Sequence, residues 1–517
     1  MAEGVWRIAE VDPARPAIVE AAGATITYAQ LAERANRLTH GLRARGVHTG
    51  DVVAAVLPNQ VAMLELQLAA FQAGFYLVPI NTRLTAPEIA YILADSGARA
   101  VVCADRFAEA AGQALRSLGT TPAAFMTGDA TAAPGFEPYE ALIADSPAIR
   151  PDGRTAGATM HYTSGTTGRP KGVRRPLSGM DPDEQAERLP GFFAIFGIAP
   201  HANGVHLAVS PLYHTAVMTF TTTSLHAGHT AVLMDGWSPE ETLRLIAEHR
   251  VTTSHMVPTQ FHRLLNLPDV VRAAADTTSL THVIHAAAPC PIDVKRRMLA
   301  WWGPVIYEYY AATEGGGTMV TPQEWLERPG TVGRPWPGYE VRIANDDGAD
   351  CPPGEAGTVW MSFGAGDFEY HGDAEKTRAG RRDGFFTVGD VGYLDDAGYL
   401  FLCDRKADMI ISGGVNIYPA EIESALFAHP KVGDAAVFGI PDSEWGEQVK
   451  AVVEPAAGVA PTPELAEELI EFCRRRLAGY KCPRTIDFIE VMPREPTGKL
   501  LKRKLRDPYW AAERRAI

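Results

Sequence analysis

Helical periodicities alternate with short apolar runs through most of this 517-residue chain, and that rhythm constrains the fold more than any other feature. Apolar positions recur at helical spacing over residues 28–45 and 63–72, and between such stretches stand compact β-favouring runs, Ala100-Val101-Val102 and Val205-His206-Leu207-Ala208-Val209 among them. Residues 230–234 read as a strand, Pro239 to His249 as a helix, and Val283-Ile284 and Val305-Ile306 as buried strands. Strands that alternate with helices form a parallel sheet covered on its faces, and a chain this long divides into several cores. Residues 119–157, rich in Ala, Pro, Gly and Asp, read as a long surface connection. From Thr331 to Phe401 short strands are punctuated by turn signals at Asp346-Asp347-Gly348, Pro352-Pro353-Gly354 and Asp395-Asp396-Ala397-Gly398. Beyond Asp404 strands are expected near 435–438, 449–453 and 486–491, with an amphipathic helix around 464–477. The expected fold class is therefore α/β: a large N-terminal domain over residues 1–404, whose β-rich part covers about 331–404, followed by a small α+β domain over 405–517.

Hydrophobic residues make up 46% and charged residues 21% of the chain, values of an ordinary globular protein rather than a disordered one. A formal net charge of −14 argues against a nucleic-acid surface and leaves room only for a small basic pocket. The six cysteines, Cys103, Cys290, Cys351, Cys403, Cys473 and Cys482, form no Cys-x-x-Cys pair, so neither a disulfide framework nor a zinc site is expected. A reducing compartment fits, and no run approaches the roughly 20 apolar residues of a membrane span, so a cytoplasmic protein is expected. The histidine pairs His226/His229 and His282/His285 lack a third ligand nearby and read as structural.

One loop carries chemistry: Thr163-Ser164-Gly165-Thr166-Thr167-Gly168-Arg169-Pro170-Lys171-Gly172. Its glycines allow successive backbone N–H groups to converge on an anion, its hydroxyls add short donors, and Lys171 adds a point charge. This is the composition a polyphosphate demands, and it points to ATP. The Walker spacing, Gly, four residues, then Gly-Lys-Ser/Thr, is not met.

Further clusters stand beside it. Tyr309-Tyr310-Ala311-Ala312-Thr313-Glu314, just after the strand at 305–306, combines an aromatic that stacks on a purine with a carboxylate suited to Mg²⁺. Asp390, placed at the end of a strand beside Gly389, is able to accept ribose hydroxyls. Asp404-Arg405-Lys406-Ala407-Asp408 precedes the glycine pair Gly413-Gly414, a pattern suited to a joint between domains. Near the C-terminus, Pro493 to Lys499 forms a loop that presents Lys499 at its tip.

In this order and over nearly the whole chain, these clusters resemble the adenylate-forming superfamily, which includes acyl-CoA synthetases, 4-coumarate:CoA ligases, luciferases and peptide-synthetase adenylation domains. The resemblance implies a phosphate loop at Thr163, Ser164, Gly165, Thr166, Thr167, Gly168 and Lys171; nucleotide contacts from Ala287, Tyr310, Thr313, Asp390 and Arg405; and Mg²⁺ on Glu314. It implies adenylation chemistry by Lys499 with Lys171 and Glu314, a coenzyme A path along Gly413, Gly414 and Trp445, and an acyl site near His214 and Ala311. It also implies a small C-terminal domain that rotates between two half-reactions about a hinge beside Arg405, where Ala407 replaces the usual Asp or Lys. The expected partners are a small carboxylic acid, ATP, Mg²⁺ and coenzyme A, with a homodimer left open. Phe192, Phe193, Phe196, Val217, Met218 and Phe220 suggest an apolar acyl group of medium or greater bulk. An adenylating ligase that loads a carrier protein, and a silent nucleotide- or acyl-binding sensor, are the alternatives.

Overall fold

The computed structural model describes residues 3–511 apart from 22, 120, 121, 164–169, 202, 363–366, 406, 407 and 496–499. Two large sheets dominate. One has the order 334–335, 315–320, 306–312, 282–285, 253–256, 205–208, 230–233, 16–19, 25–27, with parallel pairing through its centre and antiparallel strands at both edges. The other, 137–138, 123–127, 98–104, 52–56, 76–79, 158–159, is parallel throughout.

Helix Val61–Ala73 is mostly apolar and is covered around its whole circumference, every residue but Gln67 being buried, Glu65 and Gln72 with polar partners. Such a helix belongs between layers rather than on a surface, and its side chains join strands of both sheets in one core with Trp6, Tyr28, Leu31 and Phe125. Helix Tyr28–Ala44 starts where the Thr27 and Gln30 side chains cap each other's backbone N–H. The Tyr28 hydroxyl then donates to the carbonyls of Leu225 and His229 at 2.7 and 2.8 Å, tying this helix to the nine-stranded sheet.

The stretch at 119–157 is not the surface connection its composition suggests. Ala123–Thr127 is a strand parallel to Ala98–Ala104, with Phe125 fully buried, and Tyr139 and Leu142 are buried as well. A few large apolar residues there find a sheet edge, and the burial outweighs the turn-forming composition around them.

An antiparallel sheet includes Val341–Ala344, Gly357–Ser362, Asp390–Leu394 and Leu400–Arg405, and Arg405 is the last residue of its strand. Ile410–Ser412 opens a separate sheet that contains Val415–Ile417, Gly446–Pro455, Val432–Asp442 and Thr485–Phe488, packed under helices Pro419–Phe427 and Pro463–Arg474. The change of sheet therefore falls between 405 and 410, next to the position expected to act as a hinge.

Candidate active site

In the nine-stranded sheet the chain leaves Val205–Ala208 in one direction to 230–233 and in the other to 253–256 and 282–285. Ligands of α/β sheets bind in the crevice beyond the carboxyl ends of strands at such a switch point. Here Ser210, His255, Val257, Ala286 and Ala287, all at or just past those ends, line a cavity of about 1870 Å³. Ala287 adopts φ 73°, in the left-handed region that a non-glycine residue occupies only at a cost.

Strand Ile306–Ala312 forms the wall between two parts of this cavity, because successive side chains point to opposite faces. Tyr309 and Ala311 face a cluster with Phe192, Phe220 and Trp336, whereas Tyr310 and Ala312 face the β-rich sheet. The strand is longer than the two-residue run expected at 305–306. Glu314 follows it, in the tight turn that returns as Gly315–Val320.

On the Tyr310 side, its hydroxyl donates to Asp390 Oδ2 at 2.7 Å, and Arg405 Nε lies 3.2 Å from Asp390 Oδ1. Asp390 opens its strand rather than ending it, and the antiparallel register sets it directly opposite Arg405. Burial and then the Asp390 carboxylate push the Tyr310 phenol well above its ordinary range, so it remains a donor. Tyr310, distant in sequence, thus joins Asp390 and Arg405 of two consecutive strands in one polar unit at the cavity edge.

Glu314 is 7% exposed, and its Oε1 accepts from the Tyr370 hydroxyl at 2.7 Å. Among the described residues its Oε2 receives no hydrogen bond. A nearly buried carboxylate with one oxygen free suits a hard divalent cation. No group of three His, Cys, Asp or Glu side chains placed to hold a metal exists among the described residues. Arg175 donates to the carbonyls of Thr313 and Glu314 at 2.9 Å each and fixes this turn. The Thr313 hydroxyl lies 3.4 Å from that of Thr215.

The phosphate-loop residues Ser164 to Gly168 lie outside the described residues, as do Lys499 and Ala407. The loop's two ends are described: Thr163 closes strand His161–Thr163 and Lys171 opens Lys171–Arg174, its antiparallel partner. The two strands on either side are antiparallel neighbours, whereas a Walker sequence stands between a strand and a helix. Lys171 is ion-paired with Asp373, and burial, then Lys171, lowers the affinity of nearby Lys376 for its proton. Sequence reasoning missed Tyr370, Asp373 and Lys376; the run Tyr370-His371-Gly372-Asp373 was their only trace.

His214 immediately precedes helix Thr215–His226 and lines the cavity with Ala311. Of the six apolar residues expected around an acyl group, Phe192, Val217, Met218 and Phe220 line it, while Phe193 and Phe196 are buried in the core behind. From the small domain, Arg494, Glu495, Leu500 and Lys502, which flank the segment containing Lys499, line the cavity too, with Lys502 paired to Glu423 at 2.9 Å.

Gly413, Gly414 and Trp445 are not brought to the cavity. The glycines turn at φ 58° and 79°, and a Cβ on Gly413 would stand 2.6 Å from the Trp445 ring, which is 43% exposed. The part of the small domain that meets the cavity is the one carrying Arg494, Glu495, Leu500 and Lys502.

Comparison with known proteins places this geometry. The AMP-binding enzyme profile matches residues 5–366, and the AMP-binding enzyme C-terminal domain profile matches residues 421–499. A fatty acid–[acyl-carrier-protein] ligase of Streptomyces coeruleorubidus is 34% identical, over 98% of this chain and 96% of its own. A long-chain-fatty-acid–CoA ligase, FadD13, of Mycobacterium tuberculosis is 36% identical over 97% of each. The o-succinylbenzoate CoA synthetase of Bacillus subtilis, solved with its acyl-adenylate intermediate, superposes with a TM-score of 0.81 at 28% identity and 98% coverage of both chains.

Proposed function

The chain belongs to the AMP-binding enzyme family, and from that premise we propose that the cavity between its two domains activates a carboxylic acid of apolar body and medium or greater bulk. The protein is an ATP-dependent, AMP-forming acid–thiol ligase that uses ATP, Mg²⁺ and coenzyme A. In the first half-reaction a carboxylate oxygen bonds to the α-phosphorus of ATP and the bond to pyrophosphate breaks. In the second a thiol attacks the acyl carbonyl and AMP departs.

Two anions have to meet in the first step. At contact this costs about 4 kcal/mol at an effective dielectric near 20. In our reading Lys171 and Lys499 offset that repulsion, each contributing roughly 10²–10³ in rate as fixed charges. Glu314 would hold the Mg²⁺, which supplies charge neutralisation on the phosphates. The Tyr310–Asp390–Arg405 unit binds ribose, and Thr313 with the Ala287 backbone borders the nucleotide. The acyl group lies on the opposite face of strand Ile306–Ala312, near His214 and Ala311.

The observation that carries this reading is that one strand separates the polar unit of Tyr310, Asp390 and Arg405 from an apolar chamber, with Glu314 at the junction. Gly413, Gly414 and Trp445 are assigned to the thiol path of the second step, which requires the small domain to turn. The carrier-protein relative supports a second acceptor in place of coenzyme A. Six free cysteines, and no helix long and apolar enough to cross a membrane among the described residues, support the cytoplasm as the compartment. A homodimer is part of the same reading and is testable by sedimentation.

Pyrophosphate release from ATP and Mg²⁺ across carboxylic acids, from acetate to long-chain and aromatic acids, with and without coenzyme A, tests the whole. Strong turnover with a bulky acid that depends on coenzyme A supports the reading. Acetate activated as efficiently as the larger acids would remove the bulk assignment, and activation without coenzyme A turnover would move the acceptor to a carrier protein.

A further inference from the structure

The lysine and arginine side chains that line the cavity are Arg175, Lys376, Arg405, Arg494 and Lys502. All but Lys376 are committed. Arg405 faces Asp390, Arg494 pairs with Asp434, Lys502 pairs with Glu423, and Arg175 donates to the Thr313 and Glu314 carbonyls. The Lys376 ammonium makes neither an ion pair nor a hydrogen bond among the described residues. Nor is it sealed in: the side chain is half-buried, and its unpartnered Nζ keeps accessible surface.

Its surroundings are those of the phosphate loop and the metal carboxylate. Lys376 stands on helix Ala374–Ala379, whose start is held by Asp373. Asp373 Oδ1 accepts from the Lys376 backbone N–H at 2.9 Å, while its Oδ2 pairs with the Lys171 ammonium. One carboxylate therefore fixes the backbone of one lysine and the charge of the other. The Lys376 Nζ lies 4.4 Å from the centre of the Tyr370 ring, and the Tyr370 hydroxyl donates to Glu314 Oε1 at 2.7 Å. A ring face is a weak partner for a cation and leaves the ammonium's three N–H donors available to an anion. Lys171 and Glu314 both lie near enough to act on its charge. Two ammonium groups in each other's field repel, and a polyanion that meets both relieves the repulsion.

We propose that Lys376 is a further substrate-binding cation of the first half-reaction: its ammonium meets the β- and γ-phosphates of ATP beside Lys171 and holds the pyrophosphate as it leaves. When the carboxylate oxygen bonds to the α-phosphorus, the bond from that phosphorus to the bridging oxygen breaks. The electron pair goes to the bridging oxygen, so pyrophosphate carries the new negative charge; no proton moves, and Lys376 stays an ammonium throughout. A second cation has work to do there because Asp373 already offsets the charge of Lys171. Place assigns it to the leaving group rather than to AMP, since Lys376 shares Asp373 with Lys171 at the end of the phosphate loop, whereas Asp390 is held by Tyr310 and Arg405. This inference rests on the reading of the cavity as the ATP site.

The test measures binding of AMP and of pyrophosphate, each with Mg²⁺, to the full chain and to Lys376→Met and Lys376→Arg, together with kcat/KM for ATP on the fastest acid of the panel above. In Lys376→Met pyrophosphate affinity is expected to fall about tenfold or more, the scale of a lost charge-assisted contact, and kcat/KM for ATP about a hundredfold. Unchanged AMP affinity certifies that the variant is folded, and Lys376→Arg, which keeps the charge, retains most of both quantities. Pyrophosphate affinity that Lys376→Met leaves unmoved, loss of AMP to the same extent, or an arginine variant as deficient as the methionine one overturns the proposal. The unsubstituted protein separates the two levels. If it binds neither AMP nor pyrophosphate, the cavity is not the ATP site and both readings fail; if it binds both and Lys376→Met changes neither, only this one fails.

Discussion

Asp390 shows how much a single residue decides when it closes a polar unit. It accepts from Tyr310 and pairs with Arg405, so Asp390→Asn removes the charge from both contacts at once. Charge-assisted hydrogen bonds contribute about 1.5–3 kcal/mol, and we expect AMP affinity to fall about tenfold or more, with pyrophosphate affinity unchanged, by competition binding. Equal loss of both ligands would take Asp390 out of the ribose site. Glu314→Gln is a cleaner probe of the metal, because an amide oxygen still accepts from Tyr370 and the turn keeps its shape. The Mg²⁺ concentration for half-maximal rate is expected to rise at least about tenfold, since loss of a partner that merely orients a ligand already costs about 10–100-fold in metal affinity; an unmoved Mg²⁺ curve refutes the assignment. Asp390, Arg405 and Glu314 were legible in the sequence because each sits in a short motif. Tyr370, which holds Glu314, was not, because its partner lies 56 positions away and hydrogen bonds of that reach leave no local pattern.

At the scale of elements, helices read well and one strand did not. The helix expected from Pro239 to His249 matches the structure because its signals are local: Ser238 caps the N-terminus, accepting from the Glu241 N–H at 3.0 Å, and Pro239 opens the first turn. Strand Ala123–Thr127 carries a central Phe125 and Met126 amid alanines and turn residues, and only pairing with Ala98–Ala104 makes it a strand. Its burial predicts that Phe125→Ala destabilises the protein by about 3–5 kcal/mol, measurable as a lowered denaturant midpoint. A surface connection would lose less than about 0.5 kcal/mol, so the experiment decides between composition and packing.

For the whole molecule, two consequences follow from what is buried and from which face of the small domain meets the cavity. Burial holds His161, His226 and His255 down at about 4 and His206 at about 3. The unfolded chain binds these protons near pH 6.5, so between about pH 6.5 and 4 it holds more of them than the native state. Stability is therefore full above about pH 6.5 and falls steadily as pH drops through that window; denaturant midpoints at pH 5 and 7.5 that coincide would contradict it. In the proposed division of labour Lys499 serves the first half-reaction and the glycine turn at 413–414, which does not line the cavity, serves the second, so Lys499→Ala is expected to abolish pyrophosphate release while acyl transfer from supplied acyl-AMP persists, and Gly413→Val to do the reverse. Equal loss of both half-reactions in either variant argues against an alternating domain. By itself the sequence determined the α/β class, the order of the motifs and the chemistry they carry, since strand–helix rhythm, glycine-rich turns and isolated charged residues are properties of neighbours along the chain. Only the tertiary structure decided that one strand divides the Tyr310–Asp390–Arg405 unit from an apolar chamber, that Tyr310 meets Asp390, and that Tyr370 holds Glu314. Those facts depend on register and on contacts between distant segments, which the hydrophobic packing of the sheets fixes and which no stretch of sequence encodes alone.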